Sequence, residues 1–376
     1  MDLSLSEQQE MLKKMAHDFM VKECPKTHVR EMEEDPKGYS PELWRKMADL
    51  GWMGLVIPEK YGGMGYGFLD LAVLLEEMGR ALLPGPFFST AVLGTLPILF
   101  AGSEEQKQDL LPRIAQGQLI LTLALTEPSA SWEASGVELK GAASGKDFVL
   151  NGTKLFISNA HVADYLVTVA RTGEGRGQRG ISLFLVDAKS PGITCTMLKT
   201  IASDRQCEVQ FKNVRVPGKD LLGPLNRGWP IVTKVLEQAA VADCAQMVGG
   251  AQQVLEMAVA YAKDRVQFGR PIGSFQAIQH KCANMVTDVD GARFIAYQAA
   301  WRIAEGLPCA MEASMAKAWV SDAYRRTCAE GHQVHGGIGF TKDHDMQLYY
   351  RRAKAMEVAF GDADFHRELV AQKLGL

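Results

Sequence analysis

The sequence lacks the features that mark several common classes of protein. No run is long and apolar enough to cross a bilayer, because the best candidate, residues 87–101, is interrupted by serine, threonine, glycine and proline. The N-terminus carries acidic side chains early and has no apolar signal core, so we expect no export. The net charge of −3 gives no reason to expect a nucleic acid or an acidic membrane surface as partner.

Cysteine and histidine occur without the spacings that build frameworks or metal sites. The seven cysteines are odd in number, scattered and without CxxC spacing, which predicts reduced thiols in a cytoplasmic protein rather than disulfides. The eight histidines form neither HExxH nor a Cys/His cluster, so we predict no metal site.

The first segment of the chain has helical periodicity. A length of 376 residues predicts two or three domains, and 47% hydrophobic with 23% charged residues is ordinary for a soluble globular protein. Up to about residue 118, apolar positions recur three and four apart over 6–20, 41–50, 69–83 and 104–116. Ser6 and Gln9 fit a capping box, and Ser40 with Pro41 marks a second helix start.

A second segment, from about residue 119 to 226, alternates with a period of two. Its runs at 119–125, 147–158, 165–171, 181–187 and 207–216 are rich in β-branched and apolar residues and predict strands. Asn151-Gly152 between apolar runs predicts a hairpin. A slip in apolar parity at Lys212–Asn213 predicts a β-bulge, and residues 173–180 predict a flexible, charged connection.

The third segment, from about residue 227 onward, is helical again. Small residues repeat on the same face of three helices, which permits the close packing of a bundle. Helices, then strands, then helices predict an α+β fold with a separate β-domain. We therefore expect domains at 1–118, 119–226 and 227–376.

Six segments, in order and over nearly the whole chain, resemble the acyl-CoA dehydrogenase family. They are DLSLSEQQEML, IPEKYGGMGYGFLDLAVLLEEMGR, ALTEPSASWEASG, NGTKLFISNAHVADYLVTVAR, YAKDRVQFGRPIGSFQAIQH and QVHGGIGFTKDHDMQLYYRRAKAMEV. The resemblance implies an N-terminal helical domain, a middle β-barrel or β-sandwich domain and a C-terminal four-helix bundle. It also implies FAD at the seam between the β-domain and the C-terminal helices.

The middle segment carries the residues that, by this resemblance, contact the flavin ring. Leu125 and Thr126 in ALTEP are the first pair, and a backbone N–H and a hydroxyl there could donate to the ring. Phe156 matches the family's stacking aromatic, and Ser158 matches a hydroxyl near the reactive nitrogen. A strand end with its turn, and an interior aromatic on a strand, are the structural alternatives.

The C-terminal segment carries residues implied to lie along the rest of the cofactor. Arg265 would pair with the pyrophosphate of a neighbouring subunit's FAD, Phe268 would pack on adenine or the ring, and Gln276 would hydrogen-bond nearby. Gln333, with the backbone at Gly336 and Gly337, would lie along the adenosine diphosphate. A shared cofactor implies a dimer or tetramer. A helix end with arginine and glycine is the structural alternative for 265–269.

Neither position where the family carries its catalytic glutamate holds a carboxylate. The family's reaction removes a proton from the acyl Cα and a hydride from Cβ, so a buried carboxylate must face Cα. Alignment by resemblance places Phe360 at the first position and Ala239, followed by Ala240, at the second.

Three carboxylates are alternative candidates for the base. Asp243 lies one turn beyond Ala239 on the same helix face, and it could instead meet a polar part of an unusual acyl group. Glu237 and Asp362 are the others, with solvated or structural roles open for all three. Trp132 and Glu133 occupy the stretch where the family often has Gly-Ser-Asp, which leaves one contact to the flavin phosphate or to CoA open. His366 and Arg367 fit either an anion contact or a solvated helix face.

The resemblance implies an acyl-CoA dehydrogenase of lipid or carboxylic acid catabolism that passes electrons to an electron-transfer flavoprotein. One alternative is a partner subunit without its own base in a hetero-oligomeric dehydrogenase, of the kind that GDADFHRE-like endings resemble. An oxygen-using flavin oxidase or monooxygenase of the same fold, and a non-enzymatic acyl-CoA binder, complete the alternatives. The acyl group, the source of the base and homo- versus hetero-oligomer stay open.

Overall fold

The computed structural model describes residues 4–376. Its α-helices are α1 Glu7–Glu23, α2 Lys26–Glu34, α3 Pro41–Asp49, α4 Phe68–Ala81, α5 Thr95–Ala101, α6 Glu104–Ala115, α7 Trp229–Asp264, α8 Gln276–Ala304, α9 Ala310–His335, α10 Met346–Val358 and α11 Ala363–Leu374. Its strands are β1 Leu121–Ala124, β2 Lys140–Ser144, β3 Asp147–Ser158, β4 Tyr165–Arg171, β5 Ile181–Asp187, β6 Ile193–Leu198, β7 Gln206–Val216, β8 Leu221–Leu222, β9 Val266–Gln267 and β10 Arg270–Pro271. The predicted order of helices, strands and helices is confirmed.

The helix starts follow the side-chain signals in the sequence. Ser6 accepts a hydrogen bond from the backbone of Gln9, whose side chain returns one to Ser6, so the predicted capping box is confirmed. Ser40 caps α3 with Pro41 at its first position. These caps satisfy backbone N–H groups that have no partner inside the helix.

The first of two compact units is helical and contains residues up to Glu31, Gly67–Leu83 and Glu237–Leu376. Within it α4 and α7 approach closely at two glycines. A Cβ on Gly79 would lie 2.0 Å from the Gln246 carbonyl oxygen, and one on Gly249 would lie 1.8 Å from that of Glu76. Since real contacts are never so short, only glycine permits this crossing. Alanines on α7, α8 and α9 are buried as predicted.

The second unit contains Met32–Tyr66 and Pro84–Leu236 and is built on a mixed sheet. The strand order is β6-β7-β3-β2-β4-β5-β8, and β1 pairs with β4 in parallel. The bulge predicted at Lys212–Asn213 is confirmed, because the pairing shifts by one residue there and Asn213 has φ 53°. The side-chain oxygen of Asn151 accepts from the Asn213 N–H at 2.8 Å.

The hairpin predicted at Asn151-Gly152 is wrong. β3 runs unbroken through both residues, and the chain reverses earlier, at Gly145 between β2 and β3. Asn151 and Gly152 instead face the bulge of β7, and Gly152 has φ 147°, a conformation that favours glycine. The dipeptide therefore marks a bulge in the pairing rather than a turn.

Candidate active site

The turn after β1 is held against β3 by a set of short contacts in the second unit. Lys154 Nζ donates to the Leu125 carbonyl oxygen at 2.9 Å. Thr126 Oγ1 donates to the Leu155 carbonyl oxygen at 2.5 Å, and the Leu155 N–H donates back to the Thr126 oxygen at 2.8 Å. Leu125 and Thr126 are both buried. The Thr126 hydroxyl proton is thus already used within the chain.

A buried ion pair lies directly behind this turn. Lys154 Nζ is 2.6 Å from Glu127 Oε1, and the Glu127 carboxylate also accepts the N–H groups of Glu138 and Leu139 at 3.0 Å each. Burial lowers the pKa of Lys154 to about 8, against the opposing effect of Glu127. A buried charge pair with further hydrogen bonds holds its backbone rigidly, so Leu125 and Thr126 have one defined position.

Phe156 is placed on the surface by a second irregularity of the sheet. Lys154 pairs with Val209 and Ile157 pairs with Cys207, so two residues of β3, Leu155 and Phe156, face a single residue of β7. Phe156 has φ 58°, and its ring is half exposed. A large apolar ring held outward in a costly backbone conformation is typical of a binding surface. Ser158 ends the same strand.

In the helical unit, the segment from Arg265 to Gln276 forms a small hairpin before α8. β9 and β10 are joined by Phe268 and Gly269, which have φ 53° and 78°, the signature of a tight hairpin turn. The Phe268 side chain is 91% exposed, and its ring lies edge-on to that of Phe275 at 6.0 Å. Gln276 is exposed at the first position of α8.

The end of α9 lies beside the end of α7. The rings of Tyr261 and His335 stack at 4.6 Å, four residues before Arg265 and one before Gly336. Gly336 has φ 65°, and a Cβ placed on Gly336 or on Gly337 would meet nothing within 4 Å. Gln333 is exposed on the last turn of α9. The structure thus brings the two predicted phosphate-side segments together within this unit.

The two usual base positions contain no acid. Ala239 is fully buried on α7. Phe360 follows α10 with φ 58°, and its carbonyl oxygen lies 3.0 Å from His366 Nε2. Asp362 has a structural role, because its side chain caps α11 by accepting the Phe365 N–H at 2.8 Å. Glu237 is half buried in the third turn of α7.

Asp243 is deeply buried and lies beside a buried lysine. Its side chain faces Lys317 on α9, with 3.5 Å between Oδ2 and Nζ. Burial raises the pKa of Asp243 to about 6, and the positive charge of Lys317 limits the rise. Sequence reasoning missed Lys317, since nothing in its local pattern sets it apart from the other residues of α9.

Lys317 also ties Asp243 to the segment before Phe360. Its ammonium group donates to the Met356 carbonyl oxygen at 2.7 Å and to the Glu357 oxygen at 3.3 Å, at the end of α10. It also donates to Ser321 Oγ at 3.1 Å. Because a helix C-terminus carries partial negative charge, a lysine there is stabilising. One ammonium group thus bridges the candidate carboxylate and the helix that leads to the first usual base position.

His366 does not lie on a solvated helix face. It is buried, and burial lowers its pKa to about 4, opposed in part by its bond to Phe360. The guanidinium of Arg367 pairs with Asp364 at 2.7 Å and with Asp322. His366 is therefore an internal residue of the helical unit, whereas Arg367 is exposed and makes its ion pairs on the helix surface.

Two general properties of residues 4–376 complete the description. No helix among them combines the length and apolar character needed to cross a membrane. In the same range, no group of three or more histidine, cysteine, aspartate and glutamate side chains could hold a metal ion.

Family models cover nearly the whole chain. The N-terminal, middle and C-terminal domains of acyl-CoA dehydrogenase match residues 6–118, 122–214 and 226–375. The chain therefore belongs to the acyl-CoA dehydrogenase family. Its members are FAD-dependent oxidoreductases that act on the CH–CH bond of acyl-CoA, so the predicted family, fold, enzyme class and cofactor are confirmed.

Individual relatives extend over the full length of the chain. A probable acyl-CoA dehydrogenase, YngJ, of Bacillus subtilis is 36% identical and covers 100% of both chains. The caffeyl-CoA reductase-Etf complex subunit CarC of Acetobacterium woodii is 33% identical over 98% of both. Among solved structures, the ChsE4-ChsE5 complex of Mycobacterium tuberculosis superimposes with a TM-score of 0.92 at 29% identity, covering 100% of this chain and 99% of that one.

Proposed function

We propose that this chain catalyses the α,β-dehydrogenation of an acyl-CoA thioester and passes the electrons to an electron-transfer flavoprotein. The observation that carries the proposal is the match of all three family domains, in order, across residues 6–375. The similarity to CarC, which is named as a subunit of a complex with Etf, supports the choice of electron acceptor.

The described residues fit a flavin dinucleotide. Phe156 and Phe268 are exposed aromatic rings, and Gly336 and Gly337 are open on their Cβ sides. Among residues 4–376, no side chain forms an ion pair with Arg265. When bound, FAD supplies an acceptor for the hydride that leaves Cβ. The residues we propose to hold it are Leu125, Thr126, Phe156, Ser158, Arg265, Phe268, Gln276, Gln333, Gly336 and Gly337.

Each group of the proposed FAD-binding residues has a chemical reason to bind its part of the cofactor. The ion pair Glu127–Lys154 holds the Leu125–Thr126 backbone, so its N–H groups need no rearrangement to meet the ring. An aromatic ring at Phe156 offers a flat apolar face to the flavin. The guanidinium of Arg265 offers a forked donor set for phosphate oxygens. At Gly336 and Gly337, the absence of side chains lets the backbone approach phosphate.

We propose Asp243 as the residue that accepts the Cα proton. A carboxylate with a pKa of about 6 is ionised at neutral pH, yet it is basic enough to take a proton. The positive charge of Lys317 keeps it ionised, while burial keeps water from competing for it. Its place one turn beyond Ala239 is the feature that puts it near the family's second base position.

The decisive experiment is anaerobic titration of the purified, FAD-loaded protein with a panel of acyl-CoAs. We expect the right substrate to bleach the oxidised-flavin absorbance. Asp243→Asn should slow bleaching by about 10²–10⁴-fold, the usual contribution of a general base. Glu237→Gln, two residues before Ala239 on the same helix, is the matched control and should bleach normally.

FAD content and thermal unfolding of both variants separate lost chemistry from lost structure. Full-speed bleaching by folded Asp243→Asn would rule out Asp243 as the base. Failure of the whole panel to bleach the unmodified protein would contradict an independently active dehydrogenase.

A second candidate function is a partner subunit that receives its catalytic carboxylate from another chain. The favouring observation is that Lys317 already compensates the charge of Asp243, while Ala239 and Phe360 hold no acid. The solved structure named as a ChsE4-ChsE5 complex is similar over the whole chain and contains two different components. Co-expression with a homologue that retains a glutamate should then create activity that neither chain has alone.

We further propose that the protein acts in the cytoplasm as a dimer or tetramer, with copies of itself or with a homologue. The exposed ring of Phe268 at a hairpin tip supports an assembly in which a second chain covers it. The domain limits of 1–118, 119–226 and 227–376 stay predictions. Size-exclusion chromatography with light scattering tests the assembly directly.

A further inference from the structure

Two cysteines lie next to each other on the outer strands of the β-sheet. β6 is the edge strand and pairs antiparallel with β7. Cys195 pairs with Val209, and Met197 pairs with Cys207, so the two cysteines are diagonal neighbours on one face. Cys195 is exposed, whereas Cys207 is fully buried. One thiol can therefore be reached from solvent, and the other is buried diagonally beside it.

His161 is placed to take a proton from the buried thiol. Its Nε2 is 3.0 Å from the carbonyl oxygen of Lys37, which can only accept a hydrogen bond. That contact requires the proton on Nε2 and leaves a lone pair on Nδ1. Nδ1 lies 4.0 Å from Cys207 Sγ, within the range of a sulfur hydrogen bond. Neutral His161 therefore accepts from Cys207.

The electrostatics of the pair favour a thiolate at the buried position. The neighbouring Cys195 thiol lowers the pKa of Cys207 in the reduced pair. Conversely, the neighbouring Cys207 and burial raise the pKa of Cys195, so its thiolate fraction near neutral pH is small. Lone buried cysteines behave differently, since burial raises the pKa of Cys24 to about 11. Only a thiolate is a competent nucleophile in disulfide exchange.

We propose that Cys195 and Cys207 form a thiol pair that is oxidised to a disulfide by low-molecular-weight disulfides such as oxidised glutathione. This site goes beyond the dehydrogenase function and does not depend on it. In the first reaction the thiolate fraction of Cys195, the thiol that solvent reaches, attacks one sulfur of the oxidant, and the Cys195 proton leaves with the released thiol. A mixed disulfide forms, and one thiol of the oxidant is released.

In the second reaction Cys207 attacks the Cys195 sulfur, forming the bond between the two cysteines and releasing the second thiol. Two protein thiols are oxidised and one external disulfide is reduced, so electrons and protons balance. Diagonal neighbours lie roughly 7–8 Å apart at their backbones, beyond the usual span of about 4.4–6.8 Å, so the disulfide closes only if the backbone moves. As the edge strand, β6 pairs with β7 alone, so a shift of β6 towards Cys207 disturbs no other strand pairing.

The test is exposure of the reduced, FAD-loaded protein to oxidised glutathione, followed by intact-mass measurement and non-reducing peptide mapping. We expect loss of two hydrogens and a peptide that links Cys195 to Cys207. Cys207→Ser should instead keep a stable glutathione adduct on Cys195, because the second attack is lost. Cys195→Ser should leave Cys207 unmodified, because it is buried. Cys282→Ser, at a half-exposed cysteine elsewhere, is the control and should still form the bond.

His161→Gln tests the proton acceptor separately. Removal of the imidazole should slow closure of the disulfide near neutral pH and should do so less at high pH, where thiolate forms without help. A stable adduct on Cys195 in the unmodified protein, or no reaction at either cysteine, would overturn the proposal.

Discussion

The carboxylate of Asp243 and the ammonium group of Lys317 lie 3.5 Å apart, and both side chains are buried. The two residues come from different helices, α7 and α9. Through Lys317 the carboxylate is connected to the C-terminal end of α10, two residues before the turn that contains Phe360. Among the described residues, Asp243 is the only buried acid near Ala239, one of the two usual base positions. Lys317 connects it to the chain segment that leads to Phe360, the other position.

Replacement of Lys317 by methionine should change both stability and pH dependence. An unpaired buried carboxylate costs about 3–5 kcal/mol, which urea unfolding would measure. Without the lysine, burial is opposed only by the positive charge of Arg352, so the pKa of Asp243 rises further above about 6. Since the ionised form accepts the proton, the acid limb of kcat/KM should move to higher pH.

The change Lys317→Arg is the matched control for this experiment, because it retains the positive charge. Its acid limb should stay near that of the unmodified protein. A Lys317→Met variant that folds and keeps its acid limb would show that Asp243 does not titrate in the reaction.

Replacement of Lys154 by methionine should weaken flavin retention as well as the fold. Glu127 would be left charged and buried, at a cost of about 3–5 kcal/mol. The Leu125 carbonyl oxygen would also lose its donor at 2.9 Å. Retained FAD after extended dialysis, measured by flavin absorbance, together with urea unfolding, measures both effects.

The double change Glu127→Gln with Lys154→Met removes both charges and should recover part of the stability. Lys140→Met, on an exposed position of β2, should alter neither property. Normal flavin retention by Lys154→Met would mean that the Leu125–Thr126 turn does not contact the ring.

The free energy of unfolding should fall as the solution is acidified from pH 6.5 to about 4, because His366 is buried in its neutral form. Its pKa is about 4 in the folded protein, below the ordinary value of 6.5, so the unfolded chain binds the proton first. Its contribution is therefore full above pH 6.5 and is lost as pH falls toward 4. By the linkage relation the loss amounts to about 3 kcal/mol.

Urea unfolding at a series of pH values measures this slope. His366→Gln should flatten it, whereas His280→Gln, at an exposed position of α8, should leave it unchanged. An equal slope in both variants would assign the effect to other groups.

Gly336 and Gly337 should respond differently to alanine. Gly336 has φ 65°, where a side chain is strained although nothing lies within 4 Å of its Cβ position, so Gly336→Ala should cost about 1–3 kcal/mol. Gly337 has equal space and no positive φ, so Gly337→Ala should leave stability nearly unchanged.

Flavin retention then tests the proposed role of this turn. If the backbone at Gly337 approaches phosphate, Gly337→Ala should release FAD more readily while unfolding normally. Unchanged retention in that variant would place the phosphates elsewhere.

The success of sequence reasoning depended on how local each signal was. Ser6 with Gln9 and Ser40 with Pro41 marked helix starts correctly because a cap is made within one turn of chain. The bulge at Lys212–Asn213 was visible as a change in alternation. Asn151-Gly152 was misinterpreted because a turn and a bulge use the same backbone conformations, and only the partner strand distinguishes them.

The sequence by itself determined the order of helical and β segments, the helix caps and the family, since these follow from residues close together or from motifs in order. It also showed that Phe360 and Ala239 hold no acid. The tertiary structure alone decided that Asp243 meets Lys317, that Phe156 points outward, and that Cys195, Cys207 and His161 converge. Those contacts join residues far apart in the chain, and packing of the folded elements, rather than any local pattern, brings them within reach.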